Sequence, residues 1–400
     1  MKTLVLTLEY PTRSSYYEDW RDAFQQSPLF DATIRNIFHL SVRRQVRREI
    51  GGYELIVALH SCTADTLDYV EDLAPALQAR RGLLLSFIGN EVNLPWIPLG
   101  DKIRWLKRVA PDVIATQLLA EAGAWLYAEV GARVLAVPHA LNPAAFQPRR
   151  PQRERAIDVG VRSYRYLAHL GDDDRNRLHD YFAANRFIPK LALDFSFERR
   201  LERDDWADFL NRCKATISTE AGSFYLERDD RTAMAIREHV AKTARGIVVR
   251  ADSTLPRLAR GLPYAVKSVL RRVLRGPLLN YEAVTAEHLD FAEIYRLFFA
   301  GREKAPVYGK VFSSRHFDAV GCKTLQIMFP GRYNDILVAG EHYLALAPDF
   351  ANIAEVLDVL RSAPARERIV ERAYAHVMAQ HTYAHRLASL AQALERVAAA

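Results

Sequence analysis

The sequence has little cysteine and no long apolar run. Only three of its 400 residues are cysteine, Cys62, Cys213 and Cys322, and no two of them form a Cys-x-x-Cys pair. This spacing excludes a disulfide framework and a cysteine-based zinc site, and it is typical of reduced thiols in a cytosolic protein. No window approaches the roughly 18 consecutive apolar residues that a membrane-spanning helix needs.

The first apolar run is also too short for a signal peptide, because Leu4–Leu8 is followed at once by Glu9 and Pro11. We therefore expect a cytoplasmic protein, with any membrane contact limited to the inner face of the membrane.

The composition is that of an ordinary globular protein. Charged residues make up 26% of the chain, with 18 glycines and 18 prolines, so the sequence is neither disordered nor fibrous. A chain of 400 residues suits two domains of about 150 to 200 residues each. Lys and Arg number 55 against 48 Asp and Glu, a formal charge of +7 that favours phosphates and other anionic partners. The basic residues cluster without interleaved aromatic residues, so we expect no nucleic-acid partner.

Short apolar runs recur along the chain, each followed by a helix-like stretch, and this alternation predicts βα units and parallel sheets. The runs are Leu4–Leu8, Leu55–Leu59, Leu83–Ile88, Val113–Ala115, Val134–Val137, Ile157–Val161, Leu191–Phe195, Ala215–Ser218, Gly246–Val249, Thr324–Met328 and Tyr343–Leu346. Residues 141–153 are rich in proline and arginine and predict a linker between two domains.

The predicted boundaries follow from these patterns. We expect residues 1–148 to form an N-terminal Rossmann-like domain. Residues 156–375 form a C-terminal Rossmann-like domain with an inserted segment, 224–310, and residues 376–400 form a C-terminal helix.

An acidic cluster precedes one of the predicted helices. Asp172, Asp173 and Asp174 are followed by Arg175 and other helix formers. Aspartate is favoured at a helix N-terminus, so we interpret the cluster as a helix cap and not as a metal site. We expect neither a metal ion nor another cofactor.

Motifs in the last part of the chain resemble a known family. The sequence reads Val-Phe-Ser-Ser-Arg-His-Phe-Asp over residues 311–318 and His-Thr-Tyr-Ala-His-Arg over residues 381–386. It is similar to the glycosyltransferase group that includes the spore-maturation protein CgeB, which is related to GT4-type retaining enzymes. That group carries an Arg-x-Phe-Glu motif before a small-residue helix and a His-Thr-Tyr-x-x-Arg motif near the C-terminus. The resemblance covers roughly the last half of the chain and extends weakly over residues 218–223.

The resemblance implies an α/β fold of the GT-B class. In this fold two Rossmann-like domains have parallel sheets that face a central cleft, and the C-terminal helices pack back on the N-terminal domain. It implies a hexosyltransferase that moves a sugar from a nucleotide-sugar donor to a cell-surface glycan or a lipid-linked acceptor, as in polysaccharide biosynthesis. The reaction would retain the anomeric configuration without a metal. Two alternatives stay open: a nucleotide-sugar epimerase on the same fold, and a non-catalytic binding protein.

The resemblance also implies donor-binding residues. Asp318 takes the place of the family's ribose-binding glutamate, because one carboxylate can accept hydrogen bonds from two vicinal hydroxyls. Lys310 stands where these enzymes often carry a second glutamate. Glu220 supplies the missing carboxylate if residues 224–310 are an insertion, and Gly222 and Ser223 lie on the same loop.

Three arginines are candidates for binding the diphosphate, since a guanidinium can pair with phosphate through two hydrogen bonds. They are Arg162, Arg165 and Arg315, and the alternative for each is a surface ion pair. Tyr333 and His342 follow the Asp318 helix and are candidates to line the donor pocket.

The resemblance implies that the N-terminal domain, residues 1–148, binds the acceptor. In that domain Glu91 and His60 follow predicted parallel strands, at the sheet edge where ligands gather. We rank Glu91 first and His60 second as catalytic candidates, with a structural, hydrogen-bonded histidine as the alternative for His60. His381 and Arg386 carry the family motif, but their spacing favours a docking face for the last helix.

Residues 255–279 contain six Lys or Arg and no acidic residue, and their leucines and valines recur at helical spacing. A basic amphipathic helix of this kind either lies in a membrane interface, near a lipid-linked acceptor, or packs as an ordinary surface helix. Both interpretations stay open.

Overall fold

The computed structural model describes residues 1–9, 15–184, 191–197, 201–243, 247–249, 279–281 and 289–399. In these ranges the chain forms two sheets of parallel strands, one built from each half of the sequence, with helices on both faces. Neither sheet is continuous with the other, so each half has a core of its own.

The sheet of the first half has six strands in the order β2-β1-β3-β4-β5-β6. Its strands are β1 (Lys2–Thr7), β2 (Asp31–Asn36), β3 (Leu55–Ala58), β4 (Leu83–Phe87), β5 (Val113–Thr116) and β6 (Arg133–Ala136). Strand β1 alternates between two apolar cores, because Leu4 and Leu6 point into one and Val5 points into the other. Both faces are therefore covered, as expected for a parallel sheet. The helices are α1 (Ser15–Gln26), α2 (Leu40–Glu49), α3 (Ser61–Ala64), α4 (Asp68–Glu71), α5 (Ala74–Gln78), α6 (Leu99–Val109) and α7 (Ala120–Leu126).

The sheet of the second half has five parallel strands in the order β15-β14-β9-β7-β8. Its strands are β7 (Ile157–Arg162), β8 (Leu193–Ser196), β9 (Cys213–Ser218), β14 (Leu325–Met328) and β15 (Leu344–Ala345). Two further pairs lie outside it: β10 (Ala221–Gly222) with β13 (Lys310–Val311), antiparallel, and β11 (Ile247–Val249) with β12 (Leu279–Tyr281), parallel.

The described helices of the second half are α8 (Asp174–Ala184), α9 (Arg203–Arg212), α10 (Arg231–Thr243), α11 (Phe291–Phe298), α12 (Ser314–Gly321), α13 (Ile353–Arg361), α14 (Ala363–Gln380) and α15 (Tyr383–Ala398). Short 3-10 turns occur at Ile50–Gly52, Gln152–Glu154, Ala168–Leu170 and Tyr333–Asp335.

The chain returns to the first half between α14 and α15. The amide of Leu141 donates to the carbonyl of His381, and the amide of Tyr383 donates to the carbonyl of Leu141. Helix α15 then buries Tyr383 and Leu387 against Trp20 and other core residues of the first half. Two Rossmann-like sheets and a C-terminal helix packed back on the N-terminal half confirm the predicted α/β, GT-B fold class.

Ten of the eleven apolar runs form strands in the two main sheets. The exception is the run Gly246–Val249, whose strand β11 pairs with β12 instead. Strand β2 was not predicted, because the segment Asp31–Asn36 is polar and lies at the sheet edge with only partial burial. The basic segment 255–279 falls outside the described residues except for Leu279, the first residue of β12.

The three cysteines are free and buried, which agrees with reduced thiols. Within the described ranges, no helix is both long and apolar enough to cross a membrane.

Candidate functional site

Three loops of the second half meet at one edge of its sheet. They follow β7, β9 and β14, which are parallel neighbours, so their carboxyl ends lie side by side. In open α/β sheets ligands bind at this edge. The start of α12 joins the same region, because β13 leads into it directly from a pairing with β10.

Glu220 ties the β9 loop to the β14 loop. Its side chain is buried, one carboxylate oxygen accepts a hydrogen bond from the Tyr333 amide at 2.6 Å, and the other accepts one from the Tyr308 hydroxyl. Burial raises the pKa of Glu220, against the lowering effect of Tyr308, the Tyr333 amide and Lys310. A side chain at Gly331 would collide with this carboxylate, so the β14 loop passes directly over it.

Lys310 lies opposite Gly222 in the β10–β13 pair. Its ammonium group is buried and lies 2.5 Å from Asp172 and 3.1 Å from Asp174. Burial lowers the pKa of Lys310, but the two carboxylates outweigh this effect and raise it above its ordinary value. Asp172 also accepts from the amide of Asp174 at 3.0 Å, at the start of α8. The acidic cluster therefore begins the helix, as predicted, and also neutralises Lys310.

Arg175 is a member of this group that the sequence interpretation treated only as a helix former. Its guanidinium lies 4.3 Å from the centre of the Tyr166 ring, and one nitrogen lies 3.5 Å from the Thr219 carbonyl. Burial raises the pKa of Tyr333 well above its ordinary value, and the charge of Arg175 opposes this shift slightly, while the same charge adds to the lowering of the pKa of His316. Arg175 thus contacts the loops after β7 and β9 and lies near enough to Tyr333 and His316 to act on them electrostatically. Its position directly after Asp172–Asp174 did not distinguish it from an ordinary helix former in the sequence.

His316 occupies the first turn of α12. Its Nδ1 accepts from the amide of Ser313 at 3.1 Å, and its ring stacks on Phe312 at 4.8 Å and meets Tyr333 edge-on at 5.5 Å. Burial, with a further contribution from Arg175, lowers the pKa of His316 to about 3. The imidazole is therefore neutral at neutral pH. It offers a hydrogen bond to this site but no charge.

Asp318 and Arg315 both contact Trp206, whereas Glu220 contacts Tyr308 and Tyr333. Trp206 donates from Nε1 to Asp318 at 3.0 Å, and the Arg315 guanidinium lies 4.4 Å from the indole ring. Burial, with Asp19 of α1 adding to it, raises the pKa of Asp318 well above its ordinary value, while Arg315 opposes the shift. The predicted ribose carboxylate therefore lies where the two halves meet. Its role in binding a nucleotide stays a prediction.

Gly222 and Ser223 hold the β10–β13 pair in place. Gly222 has a φ of +94°, and Ser223 donates from its hydroxyl to the Leu170 carbonyl at 2.6 Å. Residues 223 and 309 lie together, since the Ser223 amide donates to the Gly309 carbonyl at 3.1 Å. The insertion of residues 224–310 stays a prediction.

Arg162 and Arg165 are each paired with a carboxylate of their own half. Arg162 donates to Asp194 at 2.7 Å and stacks on Phe209 at 4.1 Å, and Arg165 makes two hydrogen bonds to Asp180, at 2.8 and 2.7 Å. The alternative considered for both, an ion pair, is the arrangement seen here.

Tyr333 belongs to the site, whereas His342 lies elsewhere. The Tyr333 hydroxyl donates to the Phe329 carbonyl at 2.7 Å, so the side chain is buried and braces the β14 loop. His342 accepts from the Val338 amide at 3.1 Å and stacks on His376 of α14 at 4.5 Å. His342 therefore faces the C-terminal helices.

Glu91 is enclosed within the first half. Its carboxylate accepts from the Thr116 hydroxyl at 2.6 Å, the Tyr127 hydroxyl at 2.6 Å and the Gln117 amide at 2.8 Å. Burial raises the pKa of Glu91, and these donors oppose the shift. The contacts fit a structural carboxylate, and a catalytic role stays a prediction.

His60 lies in an aromatic pocket formed by Trp20, Phe87 and His139, with ring centres 4.8 to 5.6 Å away. Among the described residues neither ring nitrogen of His60 has a hydrogen-bond partner. Burial, with a smaller contribution from His139, lowers the pKa of His60 well below its ordinary value. His139 accepts a hydrogen bond from Nε1 of Trp20 at 3.1 Å.

His381 and Arg386 lie at the return of the chain to the first half. Arg386 donates to the Pro138 carbonyl at 3.2 Å and to Nδ1 of His381 at 3.1 Å. Both residues thus contribute to the docking of the last helix. Within the described part of the chain, no cluster of three His, Cys, Asp or Glu side chains is placed to hold a metal ion.

Comparison with known proteins gives one family match. Residues 270–392 match a family described as glycosyl transferase-like, and this range includes Arg315, His316, Asp318 and Tyr333. The match does not single out the CgeB-like group. A search of curated proteins gave no match.

Three solved structures align along almost the whole chain. The complex of Anabaena HepE with UDP-glucose aligns over 99% of this chain and 100% of its own, with 11% identity and a TM-score of 0.48. The E. coli trehalose-6-phosphate protein with bound UDP-2-fluoro glucose aligns over 98% and 99%, with 10% identity and a TM-score of 0.44. The N-terminal domain of the Candida albicans trehalose-6-phosphate phosphatase aligns over 98% and 96%, with 9% identity and a TM-score of 0.45.

These identities and scores are too low to carry an argument, so the fold assignment rests on the strands and helices of this chain. Residues 270–392 are a glycosyl transferase-like region, and they supply α12 and the β14 loop to the candidate site.

Proposed function

We propose that this protein is a glycosyltransferase that moves a sugar from a nucleotide-sugar donor to a glycan or lipid-linked acceptor. One observation carries the proposal: Arg175, Glu220, His316 and Tyr333 converge at the carboxyl edge of the second sheet, and two of the four lie in the glycosyl transferase-like region.

Arg175 is the cation that we assign to the donor diphosphate. When the sugar leaves, negative charge develops on the diphosphate, and a fixed guanidinium at that point stabilises the transition state more than the ground state. Arg175 is held by the Tyr166 ring and lies beside the neutral His316. We do not assign Lys310 to the diphosphate, because two aspartates balance its charge. This assignment needs no metal, and the transfer would retain the anomeric configuration if it follows the GT4-type relatives.

Asp318 is the group that we assign to the ribose. Its carboxylate is already fixed by Trp206, and Arg315 stacks on the same indole. A nucleotide held by Asp318 would lie beside the first half, because Asp19 of α1 is near enough to act electrostatically on Asp318. The acceptor would then lie on the side of the first half, close to the loop that carries Glu91.

The test is a thermal-shift panel with UDP-glucose, GDP-mannose and ADP-glucose, without acceptor, together with a measurement of sugar release. A ligand at about 100 times its Kd stabilises a protein by about 2.7 kcal/mol, so the right nucleotide raises the Tm measurably. If none of the three donors or their free nucleotides stabilises the protein, the proposal is wrong.

Arg175→Ala should weaken nucleotide binding by roughly 10- to 150-fold, the range expected for a lost charge-assisted hydrogen bond. Arg361→Ala is the control, because Arg361 is a half-exposed arginine of α13 whose weak ion pair with Asp358, at 3.9 Å, involves none of the site residues. Asp318→Asn keeps an oxygen that accepts from Trp206 but turns the second oxygen into an amide donor, so it should weaken nucleotide binding while the unliganded Tm changes little. Equal affinities in the wild type and Arg175→Ala would contradict the diphosphate assignment.

A further inference from the structure

Residues 223–309 form an excursion from the second half. The chain leaves the β9 loop at Gly222 and returns at Lys310, which is paired with it. Among the described residues of this excursion, Leu226 is buried in a core cluster of the first half, and Ala305 and Val307 pack against the same cluster. Residues near both ends of the excursion therefore contact the first half.

The excursion supplies the N-terminal cap of a helix in the first half. Helix α6 begins at Leu99, and the residue before it is Pro98, which offers no capping side chain. Asp230 takes over this role from the excursion. Its two carboxylate oxygens accept from the amide of Leu99 at 3.0 Å and from the amide of Gly100 at 2.6 Å. A carboxylate at this position satisfies two otherwise unpaired amides and interacts favourably with the helix dipole.

Asn93 completes the contact from the opposite side. Its amide group donates to Asp230 at 2.8 Å and to the Glu227 carbonyl at 3.0 Å, and its oxygen accepts from the Glu227 amide at 2.9 Å. Asn93 and Asp230 are both buried. Because the hydrogen bonds are buried and specific in direction, the excursion can dock here in only one register.

This contact fixes a loop beside the candidate site. Asn93 lies two residues after Glu91, and the same loop packs Leu94 and Ile97 against Leu170 of the second half. Leu170 in turn accepts from Ser223, next to Gly222. The loop is therefore held between the excursion and the segment that follows β7.

We propose that Asn93 and Asp230 form a latch that sets the position of residues 91–97 over the carboxyl edge of the second sheet, and that they are positioning residues for sugar transfer. The effect on turnover rests on the proposed function, whereas the latch itself does not. The latch fixes the first half of the chain relative to the second half without contacting the nucleotide.

The latch is tested by hydrogen–deuterium exchange on Asp230→Ala, with Asp229→Ala as the matched control. Asp229 is the neighbouring aspartate, and it is half-exposed and paired with Arg231. Loss of the helix cap should speed amide exchange at the start of α6 about tenfold. The amides of Leu99 and Gly100 should therefore exchange about tenfold faster in Asp230→Ala and at the wild-type rate in Asp229→Ala. Unchanged exchange in both variants would overturn the latch. Asn93→Ala gives the same readout if Asp230→Ala does not fold.

The positioning role is tested by release of sugar from whichever of UDP-glucose, GDP-mannose and ADP-glucose gives the largest thermal shift. Asp230→Ala should lower kcat about tenfold and leave KM within about twofold, because Arg175 and Glu220 stay in place. Asp230→Asn retains an oxygen for one helix amide, so its kcat should lie between those of the wild type and Asp230→Ala. Faster exchange with an unchanged kcat would overturn the positioning role. Absence of binding by all three donors would sink the proposed function and leave the exchange test intact.

Discussion

The ammonium group of Lys310 lies 2.5 Å from the carboxylate of Asp172, and the two side chains are only 5% and 6% exposed. Asp174 lies 3.1 Å from the same ammonium group. The resemblance to GT4-type enzymes places a glutamate at this position. In this chain a lysine takes that position and pairs with the aspartates at the start of α8, while Glu220 places a carboxylate beside it.

Lys310→Glu should therefore destabilise the protein instead of restoring a family residue. The substitution leaves Asp172 buried without its cation and adds a third carboxylate. Removing one partner of a buried ion pair typically costs about 3 to 5 kcal/mol. Urea unfolding measures the free energy directly. In the control, Lys107→Glu breaks an exposed pair with Glu129 and should change the free energy of unfolding little, because water screens that pair. A cost for Lys310→Glu as small as that of the control would contradict the buried pairing.

The sequence predicted the strands well because each central strand is a run of apolar residues that is covered on both faces. Val113–Ala115 and Leu83–Ile88 could be located by that signal alone. The edge strand β2 carries no such signal, because its polar residues are only half covered. The other edge strands, β6, β8 and β15, are also incompletely buried, but each contains part of an apolar run and was predicted. The sequence therefore locates strands that carry an apolar run and misses polar ones.

The site was less accessible to sequence reasoning, because its contacts join residues that are far apart in the chain. Glu220 and Tyr333 are separated by more than a hundred residues, and so are Lys310 and Asp172. No local pattern distinguishes Arg175 from a surface arginine until the β9 loop and α12 are placed beside it. Arg162 is the opposite case. Its position at the end of a strand predicted a ligand-binding residue, but its guanidinium pairs with Asp194.

Asp19 and Asp22 should give opposite pH dependences, although both pair with Arg203. Burial raises the pKa of Asp19 to about 7, while Asn142 and Arg203 oppose the shift. Burial also acts to raise the pKa of Asp22, but Arg203 and Arg21 outweigh it and the pKa is lowered. Asp19 therefore contributes stability that is present below about pH 4 and is lost as the pH rises to about 7. Asp22 contributes stability at neutral pH that is lost as the pH falls through its folded-state pKa.

Unfolding free energies between pH 2 and pH 8 test this contrast with Asp19→Asn and Asp22→Asn. Relative to the wild type, Asp19→Asn should gain stability as the pH rises from about 4 to about 7, by an amount on the order of a few kcal/mol. Asp22→Asn should lose stability relative to the wild type as the pH rises from 2 to about 4, because the pKa of Asp22 is lowered from its ordinary 3.8 in the folded protein. If the unfolding free energies of the two variants change in the same way with pH, the prediction of opposite pKa shifts for Asp19 and Asp22 is wrong.

Gly222 and Gly340 form a natural pair for testing how tightly the excursion is anchored. Both have a positive φ, +94° and +78°, so alanine at either position incurs the left-handed backbone cost of about 1 to 2 kcal/mol. A Cβ at Gly340 would meet no atom within 4 Å, whereas a Cβ at Gly222 would collide with the Gly309 carbonyl. Gly222→Ala must therefore also separate β10 from β13, and its unfolding free energy should fall below that of Gly340→Ala by about 1 to 3 kcal/mol. Because β10 carries the loop of Glu220, Gly222→Ala should also reduce nucleotide-induced stabilisation, while Gly340→Ala leaves it unchanged. Equal behaviour of the two variants in both measurements would show that the excursion does not depend on the β10–β13 contact.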